Sequence, residues 1–302
     1  MLQTPLLLIV FNRPDLTQLV FEEIKKARPT RLFVSADGPR VGNEKDNVNC
    51  KKCLEIIEQV DWACDVQILK QEKNLGCGKA VSTGITWFFE NVEEGIILED
   101  DCIPNRSFFT FCEQMLSRYK ENQQVMHIGG TNFQGGIQRG EGSYYFSAIP
   151  HVWGWATWRR AWAKYNFDIK DLSNFKAQKK LNRYYSDKKI KRFWSEVFDQ
   201  METHQIDTWD HQWSYTIWNN AGLTIIPQNN LVKNLGFRAD ATHTFGDSPM
   251  AEMETTELED IMHPLLIEQN KAADTFTFYA HHPDANLSII NRIFRKVKTY
   301  LK

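Results

Sequence analysis

The chain has 302 residues, 42% of them hydrophobic, with 36 basic against 38 acidic side chains and a formal net charge of −2. That apolar fraction is ample for a sizeable core and excludes global disorder, and the charge balance argues against a nucleic-acid partner held by bulk positive charge. No apolar run approaches the roughly 20 residues needed to span a bilayer. The opening MLQTPLLLIVFNRP reads as a strand rather than a signal peptide. Six cysteines in a chain this long are no disulfide framework. The expectation is a soluble cytoplasmic protein.

The first 130 residues alternate two periodicities. Leu6–Phe11 is a short apolar run stopped by Asn-Arg-Pro, and Leu16, Leu19, Val20 and Ile24 give helical spacing over Asp15–Ala27. Arg31–Ala36 is a second strand, ended by the turn signal Asp37-Gly38-Pro39. A helix around Cys50–Val60, a strand at Asp65–Leu69 and a helix capped by Asn74 and running to Phe89 follow. Gly95–Leu98 is a fourth strand, then come a helix from Ser107 to Lys120 and a strand at Val125–Gly129. Strands separated by such helices predict βαβ units and an α/β fold with a mostly parallel, Rossmann-like central sheet.

After residue 140 the pattern changes. Gly-rich turns lead to a strand at Tyr144–Ser147 and a Trp-rich loop, and Phe175–Ala221 reads as mostly helical. Gly222–Pro227 and Leu231–Leu235 are strand-like, and the acidic Asp247–Asp260 reads as a surface loop or flap. The expected division is a nucleotide-binding half, 1–130, an acceptor and catalytic half, 131–285, and a terminal helix, 286–302. In that helix Ile290, Ile293, Phe294, Val297 and Leu301 share one face beside Arg292, Arg295, Lys296, Lys298 and Lys302. It either docks on the body or makes peripheral contact with an anionic inner-membrane surface through 287–302.

Ile96-Ile97-Leu98-Glu99-Asp100-Asp101 carries the clearest chemistry. Three acids follow a buried strand at the carboxyl end of the sheet, where open α/β folds place ligands. Adjacent carboxylates repel unless a cation offsets them, and oxygen donors suit Mg²⁺ or Mn²⁺; the plain alternative is a solvated acidic turn. A dinucleotide dehydrogenase needs a glycine-rich turn after the first strand, and Phe11-Asn12-Arg13-Pro14 is none. A sugar-nucleotide pyrophosphorylase would want one too. No Walker sequence occurs. Ten Trp and nineteen Phe, with Trp clustered in 153–162 and 194–218, fit either an aromatic core or a cleft that stacks on bases and sugars.

In order and spacing, Leu6–Pro14, Leu32–Gly38, Gly95–Phe111, Trp153–Trp162 and Trp209–Trp213 resemble GT-A glycosyltransferases. They are similar to the inverting N-acetylglucosaminyltransferases that begin complex N-glycan branching, and to bacterial family-2-like enzymes lacking a membrane stalk. The likeness covers residues 5–245 as ordered motifs. It implies a GT-A fold with an elaborated helical C-terminal half, and transfer of a sugar from a nucleotide-diphosphate donor, UDP-linked by preference.

The resemblance also implies roles. Arg13 would meet the diphosphate, with Phe11 beside it, and Asp37 would accept the uracil N3–H, unless it is simply a turn former or reads a guanine. Glu99 and Asp100 would hold ribose hydroxyls or metal-bound waters, and Asp101 the Mn²⁺ or Mg²⁺. Asp210 would be the base that takes the acceptor hydroxyl proton; its other reading is a helix N-cap. Where the family pattern often has a second acid beside the base, this chain has His211. Trp153-Gly154-Trp155 would form a loop under the donor sugar and beside the acceptor, or the Trp rings are core. His243 would add a metal or diphosphate contact, and Lys79 would reach the donor or stay solvated.

Cys50-Lys51-Lys52-Cys53 lacks a matched second pair for zinc and reads as free thiols. A glycan, lipid-linked glycan or protein acceptor fits equally. The alternative expectation is a non-catalytic sugar-nucleotide-binding protein or a membrane-surface interaction protein.

Overall fold

Leu6–Val10 (β1) is apolar and buried at every position, as expected of a parallel strand covered on both faces. The computed structural model describes residues 1–237 and 250–286; His243, residues 247–249 of the acidic stretch and the 287–302 segment lie outside them. Pro14 opens α1 (Pro14–Ala27) at a position where a helix needs no N–H. Leu16, Thr17, Val20, Phe21 and Ile24 form its buried face.

The alternation continues through β2 (Arg31–Ala36), α2 (Glu44–Ile57), β3 (Asp65–Lys70), α3 (Cys77–Asn91) and β4 (Glu94–Glu99). α2 starts before the expected Cys50 because the Asn43 side chain caps it, accepting the Asp46 N–H at 3.1 Å. α3 starts at Cys77 rather than Asn74: the Asn74 Oδ1 accepts the Gly76 N–H at 3.2 Å while its amide N–H donates to Asp37, and Gly76, at φ +80°, takes the cap position.

A second set of elements follows: β5 (Cys102–Pro104), α4 (Arg106–Tyr119), β6 (Val125–Gly129), β7 (Tyr144–Ser147), β8 (Trp155–Trp158) and α5 (Arg159–Trp162). Then come α6 (Leu172–Ala177), α7 (Lys188–Glu202), α8 (Asp210–Asn219), β9 (Leu223–Pro227), β10 (Val232–Asn234) and α9 (Lys271–His281). Neither β5 nor α9 is among the sequence expectations.

Eight strands form one sheet in the order β3-β2-β1-β4-β8-β6-β9-β7, and β5 pairs with β10 in a separate ribbon. β1, β2, β3 and β4 run parallel. β8 is antiparallel to both its neighbours, β6 and β9 again run with β4, and β7 is reversed. The fold is therefore α/β with a mostly parallel, Rossmann-like central sheet flanked by helices.

Part of the Trp-rich stretch expected as a loop is thus a strand in mid-sheet, with Ile97 opposite Trp155 and Ile96 opposite Ala156. Trp155, Trp158, Trp213 and Trp218 are fully buried, so for these rings the core reading holds. One continuous core takes in residues from Leu2 to Ala285. The described part of the acidic stretch is fastened to that body. Glu257 accepts both the Ser107 N–H, at 2.9 Å, and its hydroxyl, and Glu254 pairs with Lys233. Among the described residues no helix is long and apolar enough to cross a membrane.

Candidate functional site

β1 and β4 are neighbours, yet the chain leaves β1 toward β2 on one side while β4 adjoins β8 on the other. Such a reversal opens a crevice beyond the carboxyl ends of the two strands. Phe11–Pro14 leaves β1 there, and Glu99-Asp100-Asp101 leaves β4, with Glu99 level with Ile9.

Arg13 ties the two segments together. Its Nη2 and Nε donate to the two oxygens of Asp100, the latter at 3.3 Å, and Nη1 donates to Asp101 Oδ2 at 2.9 Å. A guanidinium has five N–H donors, so two remain for another anion. Asp100 is 2% exposed; burial pushes its carboxyl above the ordinary range, and the Arg13 charge opposes that rise. The Glu99 carboxyl is raised by burial first, then by Asp101 and Asp100, with Arg13 again opposing. Three carboxylates thus share one guanidinium, and the cluster holds more negative charge than its own cation offsets.

This donor set bears on metal binding. Among the described residues there is no group of three or more His, Cys, Asp or Glu side chains placed to hold a metal, so an all-protein cage does not fit. A hydrated Mg²⁺ or Mn²⁺ that takes one or two carboxylates and completes its shell with water and phosphate oxygens does fit. Asp101 is the carboxylate expected from the sequence to hold it. It is held from one side by Arg13, and at Gly236 a Cβ would stand 2.4 Å from its Oδ2.

Asp37 lies at the end of β2, 9% exposed. It accepts N–H groups from Gly38 at 2.9 Å and Leu75 at 3.0 Å, and the Asn74 amide at 2.6 Å. A carboxylate has about four acceptor positions, so Asp37 fastens the 74–76 turn and retains capacity for one further donor. Burial pushes its carboxyl up against those bonds. Phe11 is half-buried, its ring 5.6 Å from the Arg40 guanidinium, and Lys79 is exposed on the first turn of α3.

The Trp153-Gly154-Trp155 segment divides by residue. Trp155 packs inside the aromatic core, stacked on Trp209 at 5.4 Å and on His127 at 5.0 Å, and offers no face to a ligand. Gly154 has φ +64°, and a Cβ there would meet Val232 Cγ2 at 2.8 Å. Its freedom thus serves the packing of β10 over the sheet. Trp153 alone is half-buried, edge-on to Phe133 at 5.0 Å.

Asp210 is the first residue of α8, with Trp209 rather than Asp210 at the cap position. Its Oδ1 accepts the Thr208 hydroxyl and the His211 N–H, the latter at 2.8 Å. Enclosure would raise its carboxyl, but the His211 ring and these bonds outweigh that and hold it below the ordinary range. The helix N-terminus favours the same charged form. Asp210 is close enough to Glu99 to raise that carboxyl, and with His211 it lines a cavity of about 230 Å³.

Asp207 is a site residue that the sequence reading passed over. Its Oδ1 accepts the Gly78 N–H at 2.9 Å, and its charge reaches Asp37 and Cys77. The available signal was a Gly-Cys-Gly start to a helix, which asks for a carboxylate from elsewhere in the chain. All six cysteines are free, and burial raises Cys50 to about 11 and Cys53 to about 12, which keeps both as thiols.

No protein-family model and no curated protein matches the chain. Among solved structures it aligns with a UDP-glucose pyrophosphorylase complexed with UDP-glucose at a TM-score of 0.38 and 11% identity, over 75% of this chain and 90% of that one. An apo UDP-glucose pyrophosphorylase gives 0.36 and 14% over the same shares. HddC from Yersinia pseudotuberculosis complexed with GMP-PN gives 0.31 and 12%, over 52% of this chain and 77% of that one. Likenesses at this level carry no argument about activity.

Proposed function

We propose that this chain is an inverting, divalent-metal-dependent glycosyltransferase that takes its sugar from a nucleotide-diphosphate donor, UDP-linked by preference. The observation that carries the reading is the electrostatic proximity of two kinds of acid. On one side Arg13 meets Glu99, Asp100 and Asp101; on the other stands Asp210, which acts on Glu99 electrostatically. The resemblance to GT-A enzymes in the order of these motifs supports the same reading. A pyrophosphorylase would want a glycine-rich first loop, and Phe11-Asn12-Arg13-Pro14 does not supply one.

In this reading Arg13 binds the diphosphate through its two remaining N–H donors, oriented by its bonds to Asp100. Asp101 holds the divalent cation, which when bound offsets the negative charge of the leaving nucleoside diphosphate. Asp37 accepts an N–H from the base with its remaining lone pair. Asp210 accepts the acceptor hydroxyl proton, and its carboxyl, held below the ordinary range, is ionised at neutral pH. The oxygen thus freed of its proton attacks the anomeric carbon from the face opposite the diphosphate. Lys79 and His243 belong to this reading as further donor or metal contacts, and 287–302 as a peripheral membrane contact.

The test is a thermal-shift comparison of UDP, GDP, CDP and ADP, each with and without Mn²⁺, on the wild type and on Asp101→Ala. A ligand at 100 times its Kd adds about 2.7 kcal/mol. A UDP shift that needs Mn²⁺ and disappears in Asp101→Ala supports the reading; no shift with any nucleotide sinks it.

A further inference from the structure

The cavity beside Asp210 has a chemical character of its own. It measures about 230 Å³, below the about 300–1,000 Å³ of pockets that take drug-sized ligands, which is room for a single ring. Phe133 and Trp153 supply flat apolar wall, edge to face at 5.0 Å.

Set into that wall are two imidazoles with unmet hydrogen-bonding capacity. His151 is 3% exposed, and its Nδ1 donates to the Thr131 carbonyl at 2.7 Å, which leaves Nε2 as a bare acceptor. That Nε2 is buried and has no partner among the described residues. The Nε2 of His281, on α9, is in the same condition. Both rings pack on Phe133, with centroids 4.7 Å and 4.4 Å away. Burial holds His151 down to about 4 and His281 to about 3, so both are neutral.

A wholly apolar ligand would leave two buried nitrogens unpaired, which costs binding. An anion would meet the Asp210 carboxylate with no Lys or Arg among the described lining residues to offset it. A metal finds no group of three or more ligating side chains among the described residues. A polyhydroxylated ring matches on both counts: its C–H face packs on the aromatic rings, and its hydroxyls reach the imidazole nitrogens.

We infer that this cavity is the acceptor subsite and that it takes one uncharged pyranose ring, seated on Phe133 and Trp153 and hydrogen-bonded through its hydroxyls to His151 Nε2 and His281 Nε2. The inference deepens the glycosyl-transfer reading, since Asp210 stands on the cavity wall where a ring hydroxyl would meet it. It assigns the acceptor a neutral terminal sugar rather than an acidic one.

The test is saturation-transfer NMR on the full chain with methyl glycosides of glucose, galactose, mannose and N-acetylglucosamine, and with glucuronate, each with and without UDP and Mn²⁺. Transfer to at least one neutral glycoside and none to glucuronate is expected. His281→Phe, which keeps a ring but removes the nitrogen, is expected to weaken that binding about tenfold. Trp153→Leu, at a half-buried position, gives an independent reading where the first variant fails to fold. Absence of transfer to every neutral glycoside, equal transfer to glucuronate, or unchanged binding in the folded variants overturns the inference. Nucleotide binding is read separately by thermal shift. A UDP response without sugar binding removes the subsite alone, and sugar binding without a nucleotide response removes the transferase reading and leaves a pyranose site with no acceptor role.

Discussion

Asp207 Oδ1 accepts the Gly78 N–H at 2.9 Å and so joins residues 129 apart in sequence. The loop that leads into α8, and hence Asp210, is moored to the first turn of α3. The position of Asp210 therefore depends on a helix from the other half of the sheet.

Asp207→Ala removes that mooring. A hydrogen bond to a charged group contributes about 1.5–3 kcal/mol, and Asp207 is exposed, so the expected loss is about 1 kcal/mol. In a chain longer than 250 residues that is a fall in Tm of about 2 °C or less, read by calorimetry. Activity should fall further than stability does, because Asp210 loses its fixed register against the crevice.

Arg13→Leu leaves the buried Asp100 without its partner. Breaking a fully buried pair costs about 3–5 kcal/mol; the Arg13 side chain is 21% exposed, so about 2–3 kcal/mol is expected. Adding Asp100→Asn to Arg13→Leu should restore much of it, since the unpaired charge is then gone. Urea unfolding of the two single variants and the double variant measures this coupling directly.

Glu99 sets a pH dependence. Its pKa is raised in the folded chain by burial and by Asp101 and Asp100, so folding favours the protonated carboxyl. That contribution is fully present below the unfolded carboxyl pKa and is lost as pH rises through the raised folded value. Glu99→Gln removes the titration. Its stability relative to the wild type should therefore increase with pH above the ordinary value of 4.5, in urea melts taken from pH 5 to 8.

Asp210→Asn keeps the size and the first-turn position of the side chain but cannot take a proton. Turnover is expected to fall about 10²–10⁴-fold, with the UDP and Mn²⁺ thermal shift retained. Turnover at the wild-type rate would remove Asp210 from the role of base.

The parts of the site that were legible are those whose signal is local. Glu99-Asp100-Asp101 stands out because three acids directly follow Ile96-Ile97-Leu98, and the β-α alternation before it predicts which end of the sheet they occupy. The Gly-Cys-Gly start of α3 asks for a carboxylate without saying which, and Asp207 lies 129 residues away, so an exposed loop acid looked ordinary. Trp155-Ala156-Thr157-Trp158 hid its strand for a related reason. Four residues after a Trp-Gly pair show no periodicity, and only pairing with β4 and β6 makes them extended. The two unpartnered imidazoles were invisible because a lone His in sequence carries no record of what its ring nitrogens meet.

The reversed strand β8 has a further consequence for how the chain can be divided. Among the described residues β4 meets the second half of the sheet only through β8, with Ile96 and Ile97 paired to Ala156 and Trp155. A fragment ending near residue 150 would keep β1–β4 with Arg13, Glu99, Asp100 and Asp101, yet expose Ile96 and Ile97 along an open edge. Apolar edges of that kind pair with other chains, so such a fragment should aggregate rather than bind nucleotide. The protein is thus built so that the acidic residues of its first half reach solution in usable form only when the second half has folded onto them.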